Sequence, residues 1–216
     1  KAREQFMPFV HHVYDGFIEG RHHRVIAEKL EQVAQGKLKR LIVNMPPRHS
    51  KSEFASYLMP AWFLGRNPKL KIIQATHNTE LAVRFGRKVR DLIDTPDYRT
   101  VFPDTGLKAD DKAAGRWGTS SGGEYFAAGV GAAMTGRGAD LLIIDDPHSE
   151  QDALSSTAFD HAFEWYTSGP RQRLQPGGAI IIVMTRWGMK DLTGQVLKMQ
   201  GSDQMADEWE VVEFPA

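Results

Sequence analysis

The stretch RLIVNMPPRHSKSE, residues Arg40–Glu53, joins a short apolar run to a loop that carries a lysine and a serine. The run LIV is typical of a buried strand, and a phosphate-binding loop follows such a strand with the pattern G-x-x-x-x-G-K-[ST]. Lys51 and Ser52 occupy the last two positions, whereas Met45 and Ser50 stand where the two glycines are expected. Two interpretations remain: a nucleotide site without its glycines, or an ordinary turn between a strand and a helix.

The composition sets limits on the class of protein. Of the 216 residues, 41% are hydrophobic and 25% are charged, which is ordinary for an α/β domain with one substantial core. Lysine plus arginine equals aspartate plus glutamate, 27 each, so an affinity for nucleic acid would need a local basic surface. Without cysteine, disulfides, thiolate zinc sites and a thiol nucleophile are excluded. Because no apolar run approaches the roughly 18 to 20 residues of a membrane span and no signal-like segment opens the chain, we expect an intracellular protein with no membrane partner.

Alternating strand and helix patterns predict a mostly parallel sheet covered by helices on both faces. Helical spacing of apolar residues runs from the start to residue 33, with a break at Gly20 and an end at Gly36. A hairpin is predicted to turn at residues 120–123, and Pro60 is expected to kink or shorten the helix after the first strand. Four apolar runs are predicted as strands, at residues 40–44, 71–76, 141–144 and 179–184.

Three of these strands end in polar, charge-bearing segments: PPRHSKSE, DDPH and TRW. In an open parallel sheet, ligands bind at the carboxyl ends of the strands. A phosphate loop supplies backbone N–H groups, a lysine for the terminal phosphates and a hydroxyl for magnesium. Lys51 and Ser52 supply the last two of these groups. Residues 46–47 are prolines that stiffen the entry to the loop, while Arg48 and His49 add donors.

Two adjacent aspartates, Asp145 and Asp146, follow the apolar run LLII. A carboxylate at the tip of a buried strand is where a phosphate-loop enzyme holds magnesium, and its neighbour can orient or deprotonate the attacking water. The alternative is a helix cap, because aspartate before proline commonly starts a helix. Asp146-Pro147 fits that alternative well, whereas two carboxylates in succession fit it less well.

Five segments, in this order, make the chain resemble the ATPase domain of the terminase large subunit of tailed bacteriophages, the motor that packages DNA. They are FIEGRHH, RLIVNMPPRHSKSE as Walker A region, ELAVRFGRKVRDLI, TGRGADLLIIDDPH as Walker B, and RLQPGGAIIIVMTRWGMKDLTG as coupling motif. The resemblance covers nearly the whole chain. In this family an arginine shortly before the lysine is typical and the first glycine is often absent. The implied fold is that of a RecA-like P-loop NTPase, with a mostly parallel sheet flanked by helices and an N-terminal helical segment.

The resemblance also implies how the chain is divided. Residues 1–38 would form an N-terminal helical segment packed on the ATPase core, and residues 39–208 would form the core itself. Residues 209–216 would be a final strand and the start of a linker to a nuclease domain of the RNase H type. Because the sequence begins without methionine and stops where that linker would begin, we expect nuclease activity only in the full-length protein.

Roles for single residues follow from the same resemblance. Arg48 would contact the γ-phosphate and Lys51 would hold the β- and γ-phosphates. Ser52 and Asp145 would bind Mg²⁺, and Asp146 would be the catalytic carboxylate. The family usually has glutamate at that last position, so Glu150 stays an alternative. The full predicted nucleotide-binding set is Pro47, Arg48, His49, Ser50, Lys51, Ser52, Thr185 and Arg186.

Several predicted roles concern contacts beyond the phosphates. Thr185 and Arg186 would sense the γ-phosphate and pass its loss to the DNA-gripping surface. Arg137 lies between two glycines in TGRGAD, where an arginine is usually solvated, but in a ring motor it would serve as an arginine finger for a neighbouring subunit. Arg84 and Arg87 are candidates for DNA or subunit contacts, the alternative being a solvated helix face.

The function implied by the resemblance is hydrolysis of ATP, with Mg²⁺, to translocate double-stranded viral DNA into the procapsid. The expected partners are the portal protein, the small terminase subunit and further copies of the chain in a ring, at the portal vertex in the host cytoplasm. Three alternatives remain. They are a helicase-like remodelling ATPase with a second RecA-like lobe, a magnesium-dependent nuclease that uses the two aspartates without nucleotide, and a non-enzymatic interaction module.

Overall fold

A computed structural model describes residues 1–215 as one eight-stranded sheet with helices on both faces. The strands are β1 (Arg40–Asn44), β2 (Lys71–Thr76), β3 (Leu107–Ala113), β4 (Arg116–Thr119), β5 (Glu124–Gly129), β6 (Ala139–Asp145), β7 (Leu174–Met184) and β8 (Glu210–Glu213). Their order across the sheet is β3-β4-β5-β2-β6-β7-β1-β8. All neighbours from β5 to β8 pair in parallel, and β3 and β4 are antiparallel.

Seven α-helices and three shorter helical segments cover the sheet among the described residues. The helices are α1 (Phe6–Val13), α2 (Arg21–Ala34), α3 (Met59–Arg66), α4 (Thr79–Ile93), α5 (Pro96–Val101), α6 (Ser156–Ser168) and α7 (Leu192–Ser202). The shorter segments are a π-helix at Glu53–Leu58 and 3₁₀ turns at Asp152–Leu154 and Pro170–Arg173. Within residues 1–215, no helix has both the length and the apolar character needed to cross a bilayer.

The central strands are buried on both faces, which is why they are nearly continuous apolar runs. In β1, Leu41 and Val43 pack into the cluster that also takes in α1 to α4, while Ile42 packs into the cluster beneath α6 and α7. The predicted strands are therefore present, although β6 and β7 begin earlier than the apolar runs indicate. β3 was not predicted, because LKADDKA is polar and mostly exposed.

The helix ends and the hairpin lie where the sequence predicts them. The helical break at Gly20 separates α1 from α2, and Gly36 follows the end of α2 with a φ of 75°. The predicted hairpin joins β4 to β5 across residues 120–123. The mostly parallel, helix-flanked sheet with its N-terminal helices is confirmed. Domain boundaries at residues 38 and 208 stay a prediction.

The helix after β1 differs from the expected kink or early end. Pro60 has no N–H, so it cannot donate to the carbonyl of Ser56 in an α-helical pattern. Instead, the N–H of Met59 donates to the carbonyl of Phe54, five residues back, which is the π-helical pattern. The helix therefore continues with a changed register into α3.

Aromatic side chains fix the N-terminal helices against this region. The ring of Phe6 lies 5.3 Å from that of Phe54 and 5.4 Å from that of Trp62. His23 of α2 is 5% exposed, its ring lies 5.0 Å from Phe54, and its Nδ1 accepts a hydrogen bond from the Gly20 N–H at 2.8 Å. Burial, and secondarily the neighbouring His22, lowers the pKa of His23 to about 4.

We expect the free energy of unfolding to fall between pH 7 and pH 5, because the unfolded chain binds a proton at His23 that the folded chain excludes. The folded pKa of His23 lies below its ordinary value of 6.5. The contribution of the neutral, buried His23 to stability is therefore complete above pH 6.5 and is lost as the pH falls toward 4. The loss at pH 5 should be about 2 kcal/mol. Urea denaturation of wild type and His23→Gln at several pH values measures it. The exposed control His161→Gln should keep the wild-type pH slope, and a His23→Gln protein with that slope would contradict the assignment.

Candidate functional site

The structure brings the loops after β1, β6 and β7 together at the carboxyl edge of the sheet. β7 pairs with β1 on one side and with β6 on the other. The N–H of Met45 donates to the carbonyl of Met184 at 3.1 Å, and the N–H of Asp146 donates to that of Val183 at 2.9 Å. Side chains that follow these strands therefore share one site.

Lys51 and Asp146 form an ion pair, with 2.9 Å between Nζ and Oδ2. Only 7% of Lys51 is exposed, whereas Asp146 is partly open to solvent. The other oxygen of Asp146 accepts a hydrogen bond from the backbone N–H of Thr185 at 2.9 Å. Its carbonyl accepts from the N–H of His77 at 3.2 Å. Asp146 thus contacts the segments that follow β1, β2 and β7.

Asp146 has a φ of 42°, in the left-handed region, and no helix begins beside it. The next α-helix, α6, starts ten residues later and is capped by the Ser155 hydroxyl, which accepts from the N–H of Ala158. The helix-cap interpretation of Asp146 is therefore wrong. A left-handed conformation costs a non-glycine residue about 1 to 2 kcal/mol, and the contacts to Lys51 and Thr185 offset it.

Asp145 is buried, with 1% of the residue exposed. The Ser52 hydroxyl donates to Oδ1 at 3.0 Å, and the Ser56 hydroxyl donates to Oδ2 at 2.7 Å. Burial, followed by the nearby charge of Asp146, raises the pKa of Asp145 to about 7, although both serines act in the opposite direction. A cation beside this carboxyl group would favour its ionised form.

The oxygens of Ser52 and Asp145 fit a magnesium ion. Both are hard oxygen donors, which Mg²⁺ prefers, and an octahedral ion with bonds of about 2.0 to 2.1 Å places neighbouring ligands about 2.9 Å apart. The distance between Ser52 Oγ and Asp145 Oδ1 is 3.0 Å. Among residues 1–215, no group of three or more His, Cys, Asp or Glu side chains is arranged to hold a metal ion.

The loop at residues 45–52, called the β1 loop below, reaches its shape without glycine. Ser50, at the second glycine position of the motif, has a φ of 64°, and Arg48 has a φ of 67°. Both values lie in the left-handed region that glycine adopts without strain. The carbonyl of Ser50 accepts from the N–H of Phe54, so the helix begins directly after it. Met45, at the first glycine position, is instead a buried core residue.

Three further β1-loop residues from the predicted set lie at the surface. Pro47, Arg48 and His49 are exposed, and His49 Nδ1 lies 2.8 Å from the Pro47 carbonyl oxygen. In the described part of the chain, Arg48 has no hydrogen-bond or ion-pair partner. Its guanidinium is thus available to an anion at the loop.

Thr185 and Arg186 differ in where they are held. The hydroxyl of Thr185 lies 3.4 Å from the Met45 carbonyl, within the site. Arg186 is held in its own loop, with Nε donating to Asp191 at 2.9 Å and another nitrogen donating to the Gly188 carbonyl at 3.1 Å. Asp191, which is fully buried, also caps α7. In this structure Arg186 is therefore directed to Asp191 and not to the β1 loop.

The other candidates lie outside the cluster. Glu150 is exposed, and Arg84 and Arg87 are exposed on α4. Arg137 precedes β6 and so lies at the end of that strand opposite Asp145, where its guanidinium sits 4.7 Å from the ring centre of Phe126. Arg137 therefore lies at the amino-terminal ends of the parallel strands, whereas the β1 loop lies at their carboxyl ends.

Sequence reasoning missed four residues that support the site. The signals for two of them are visible afterwards: Asp191 precedes a helical pattern, and His148 ends the segment DDPH. His148 is buried, and its Nε2 accepts from the N–H of Leu192 at 2.9 Å, which ties the loop after β6 to α7. The other two, Ser56 and Gln74, lie within apolar segments that carry no functional signal.

No family model matches this sequence, and no curated protein is detectably related to it. Solved structures do match. The large terminase of bacteriophage HK97 superposes with a TM-score of 0.55 over 94% of this chain, at 13% identity, and this chain spans 40% of it. A mutant of the ATPase domain of the Thermus phage P74-26 large terminase superposes with a TM-score of 0.58 over 96% of this chain and 84% of its own, at 14% identity. The chain therefore has the RecA-like α/β fold of the ATPase domains of phage large terminases.

Proposed function

We propose that this chain is a magnesium-dependent ATPase of the P-loop class and the motor domain of a phage terminase large subunit. One observation carries the proposal. Lys51 pairs with Asp146 while Ser52 donates to Asp145, so a lysine and a hydroxyl after one strand meet two carboxylates after another. These are the groups that phosphoryl transfer requires, and they lie on a fold shared with terminase ATPase domains.

The β1 loop has the features of a phosphate site, and this supports its assignment as Walker A. It ends at the start of a helix, where backbone N–H groups and the helix dipole favour an anion. The exposed guanidinium of Arg48 is placed to reach a γ-phosphate, and Ser50 has the conformation of a loop glycine. Pro47 and His49 complete the rim of the loop.

The Lys51–Asp146 ion pair would be broken in the first step of the proposed ATPase cycle. A phosphate bound at the β1 loop competes for the ammonium of Lys51, and this releases the Asp146 carboxylate. Asp146 remains held through its second oxygen by the Thr185 N–H. A released carboxylate in that position can orient a water molecule and accept its proton. Glu150 is exposed, and within the described residues its side chain has no hydrogen-bond or ion-pair partner.

Ser52 and Asp145 would hold the magnesium ion that accompanies ATP. Bound there, the ion would supply positive charge that stabilises the phosphate oxygens during phosphoryl transfer. The protein's own contribution is a preformed pair of oxygens 3.0 Å apart.

The biological setting is proposed from the five sequence segments and the shared fold together. It is translocation of double-stranded viral DNA into the procapsid, with the portal protein, the small terminase subunit and a ring of copies as partners. The work would take place at the portal vertex in the host cytoplasm. Thr185 and Arg186 would pass the loss of the γ-phosphate onward. Arg84 and Arg87, exposed on α4, are the proposed contacts to DNA or to a neighbouring subunit.

The nuclease alternative fits the site less well. A metal-only nuclease would use both carboxylates as ligands, yet Asp146 is paired with a lysine that such an enzyme does not need. A helicase-like ATPase would share this site and differ in having a second lobe. Equilibrium binding of a fluorescent ATP analogue, with and without Mg²⁺, distinguishes the proposed ATPase from the nuclease and from an interaction module. The ATPase requires binding that magnesium strengthens.

Lys51→Ala should abolish ATP hydrolysis while the fold is retained, because the lysine lies in a loop at the sheet edge. Removing a positive charge that stabilises the phosphoryl transition state should slow turnover by at least about a hundredfold. Phosphate release measures the rate, and circular dichroism measures the fold. The matched control Lys69→Ala changes an exposed lysine elsewhere and should keep the wild-type rate. Wild-type turnover by a Lys51→Ala preparation free of contaminating ATPase would refute the P-loop assignment.

Asp146→Asn should still bind ATP with magnesium but hydrolyse it at least about a hundredfold more slowly, the usual size of a general-base effect. Glu150→Gln removes a nearby charge of the same kind and should be nearly silent. Single-turnover hydrolysis together with nucleotide binding separates the chemical step from affinity. The opposite ranking of the two variants would transfer the catalytic role to Glu150.

If Arg137 acts on a neighbour's site, hydrolysis per subunit should rise with protein concentration, since a finger supplied in trans is worth about a thousandfold or more. Arg137→Ala and Lys51→Ala should each be inactive alone. Their mixture should recover activity, because some interfaces then join an intact loop to an intact arginine. A mixture that stays inactive where wild type assembles would exclude Arg137 from this role.

A further inference from the structure

The second oxygen of Asp145 has a partner that the proposed ATPase chemistry does not use. Ser56 is fully buried, and its hydroxyl donates to Asp145 Oδ2 at 2.7 Å. This hydrogen bond is shorter than the one from Ser52 to Oδ1, at 3.0 Å. The two serines therefore hold the two oxygens of one carboxyl group separately.

The position of Ser56 follows from the helix after β1. Residues four apart on a helix lie on the same face, so Ser52 and Ser56 are directed to the same neighbour. The π-helical register at Glu53–Leu58, imposed where Pro60 lacks an N–H, includes Ser56 itself. Because β7 separates β1 from β6 in the sheet, Ser56 joins two segments whose strands do not pair.

A third residue fixes the direction of the Ser56 proton. Gln74, buried on β2, places Nε2 at 3.2 Å from the Ser56 oxygen. A serine hydroxyl has a single proton to donate, and here the hydroxyl of Ser56 donates it to Asp145 Oδ2. The Ser56 proton is therefore committed to Asp145, and Gln74 must present its NH₂ group to Ser56. Among residues 1–215, this leaves Gln74 Oε1 as a buried oxygen without a hydrogen-bond partner.

A buried oxygen without a partner costs stability, because the hydrogen bonds it made to water in the unfolded chain are not replaced. A leucine or methionine at position 74 would avoid this cost while filling the same space in the sheet. The glutamine therefore serves the hydrogen bond to Ser56 at the expense of its own carbonyl. This observation indicates a role that core packing alone does not explain.

We propose that Ser56, oriented by Gln74, is a positioning residue for magnesium binding: it holds Oδ2 of Asp145 so that Oδ1 is presented together with the Ser52 hydroxyl. The inference rests on the proposed ATPase function, in which Ser52 and Asp145 bind the ion. Residues that hold a metal ligand from behind typically change metal affinity by about ten- to a hundredfold when removed. Ser56 itself touches neither the ion nor the nucleotide.

The test uses the fluorescent nucleotide mant-ADP as the probe. Its affinity is measured in EDTA, and Mg²⁺ is then titrated at saturating mant-ADP to obtain the half-saturating Mg²⁺ concentration. In Ser56→Ala this concentration should rise about tenfold or more, while the affinity in EDTA stays at the wild-type value. Gln74→Met keeps the shape of the side chain and removes the donor, and it should cause a smaller rise in the same direction.

Thr193→Val is the matched control, because it removes another fully buried hydroxyl, which donates to Asn44 Oδ1 at 3.2 Å. It should lower the unfolding temperature without changing the half-saturating Mg²⁺ concentration. If Thr193→Val raises that concentration as Ser56→Ala does, the effect is general loss of packing and the inference is overturned.

The outcomes separate this inference from the proposed function. A wild-type protein that binds mant-ADP without any response to Mg²⁺ overturns both. A wild type that responds, with a Ser56→Ala variant that titrates identically, overturns the positioning role alone and leaves the ATPase assignment in place. Should Ser56→Ala not fold, Gln74→Met decides, and an unchanged half-saturating concentration in that variant overturns the inference.

Discussion

The burial of the Asp145 carboxyl group is the constraint around which the sheet edge is built. A carboxylate in a buried position is costly unless hydrogen bonds and opposite charge compensate it. Here Ser52 and Ser56 occupy both oxygens, and the positive charge of Lys51 lies nearby. These partners come from the chain after β1, so satisfying one buried carboxyl group at the end of β6 also fixes the loop and helix that follow a non-adjacent strand. The geometry of the β1 loop is thus a consequence of a requirement located elsewhere.

Asp145 and Asp146 share a strand end but not an environment, and this difference suits them to different tasks. Asp145 is enclosed and held on both oxygens, which favours a fixed ligand. Asp146 is partly solvated, left-handed at φ 42°, and held on one side by Lys51. Two neighbouring titratable groups in unlike surroundings are a recurrent feature of active sites. Neither aspartate would take the other's place without moving the backbone of β6.

The sequence alone predicts the sheet well where burial is two-sided, as in β1, β2 and the apolar parts of β6 and β7. It also predicts that Lys51 and Asp146 share a site, because the carboxyl ends of parallel strands lie at one edge. It does not predict β3, whose polar residues have no periodic burial. Ser56 escapes for another reason: its role depends on a change of helical register and on a glutamine in a different strand, and no local pattern encodes either. The pairing of Arg186 with Asp191 likewise depends on the conformation of the loop between them, which no sequence pattern specifies.

Two sets of hydrogen bonds connect the end of β6 to α7. Asp146 accepts from the Thr185 N–H, at the start of the loop whose Asp191 caps α7, and His148 accepts from the Leu192 N–H at the first residue of that helix. The Thr193 hydroxyl of α7 also donates to Asn44 Oδ1 at 3.2 Å, so α7 contacts the end of β1 as well. If a phosphate drew Lys51 from Asp146, these contacts would still hold α7 to the ends of β1 and β6, and Arg186, fixed to Asp191, would stay with them.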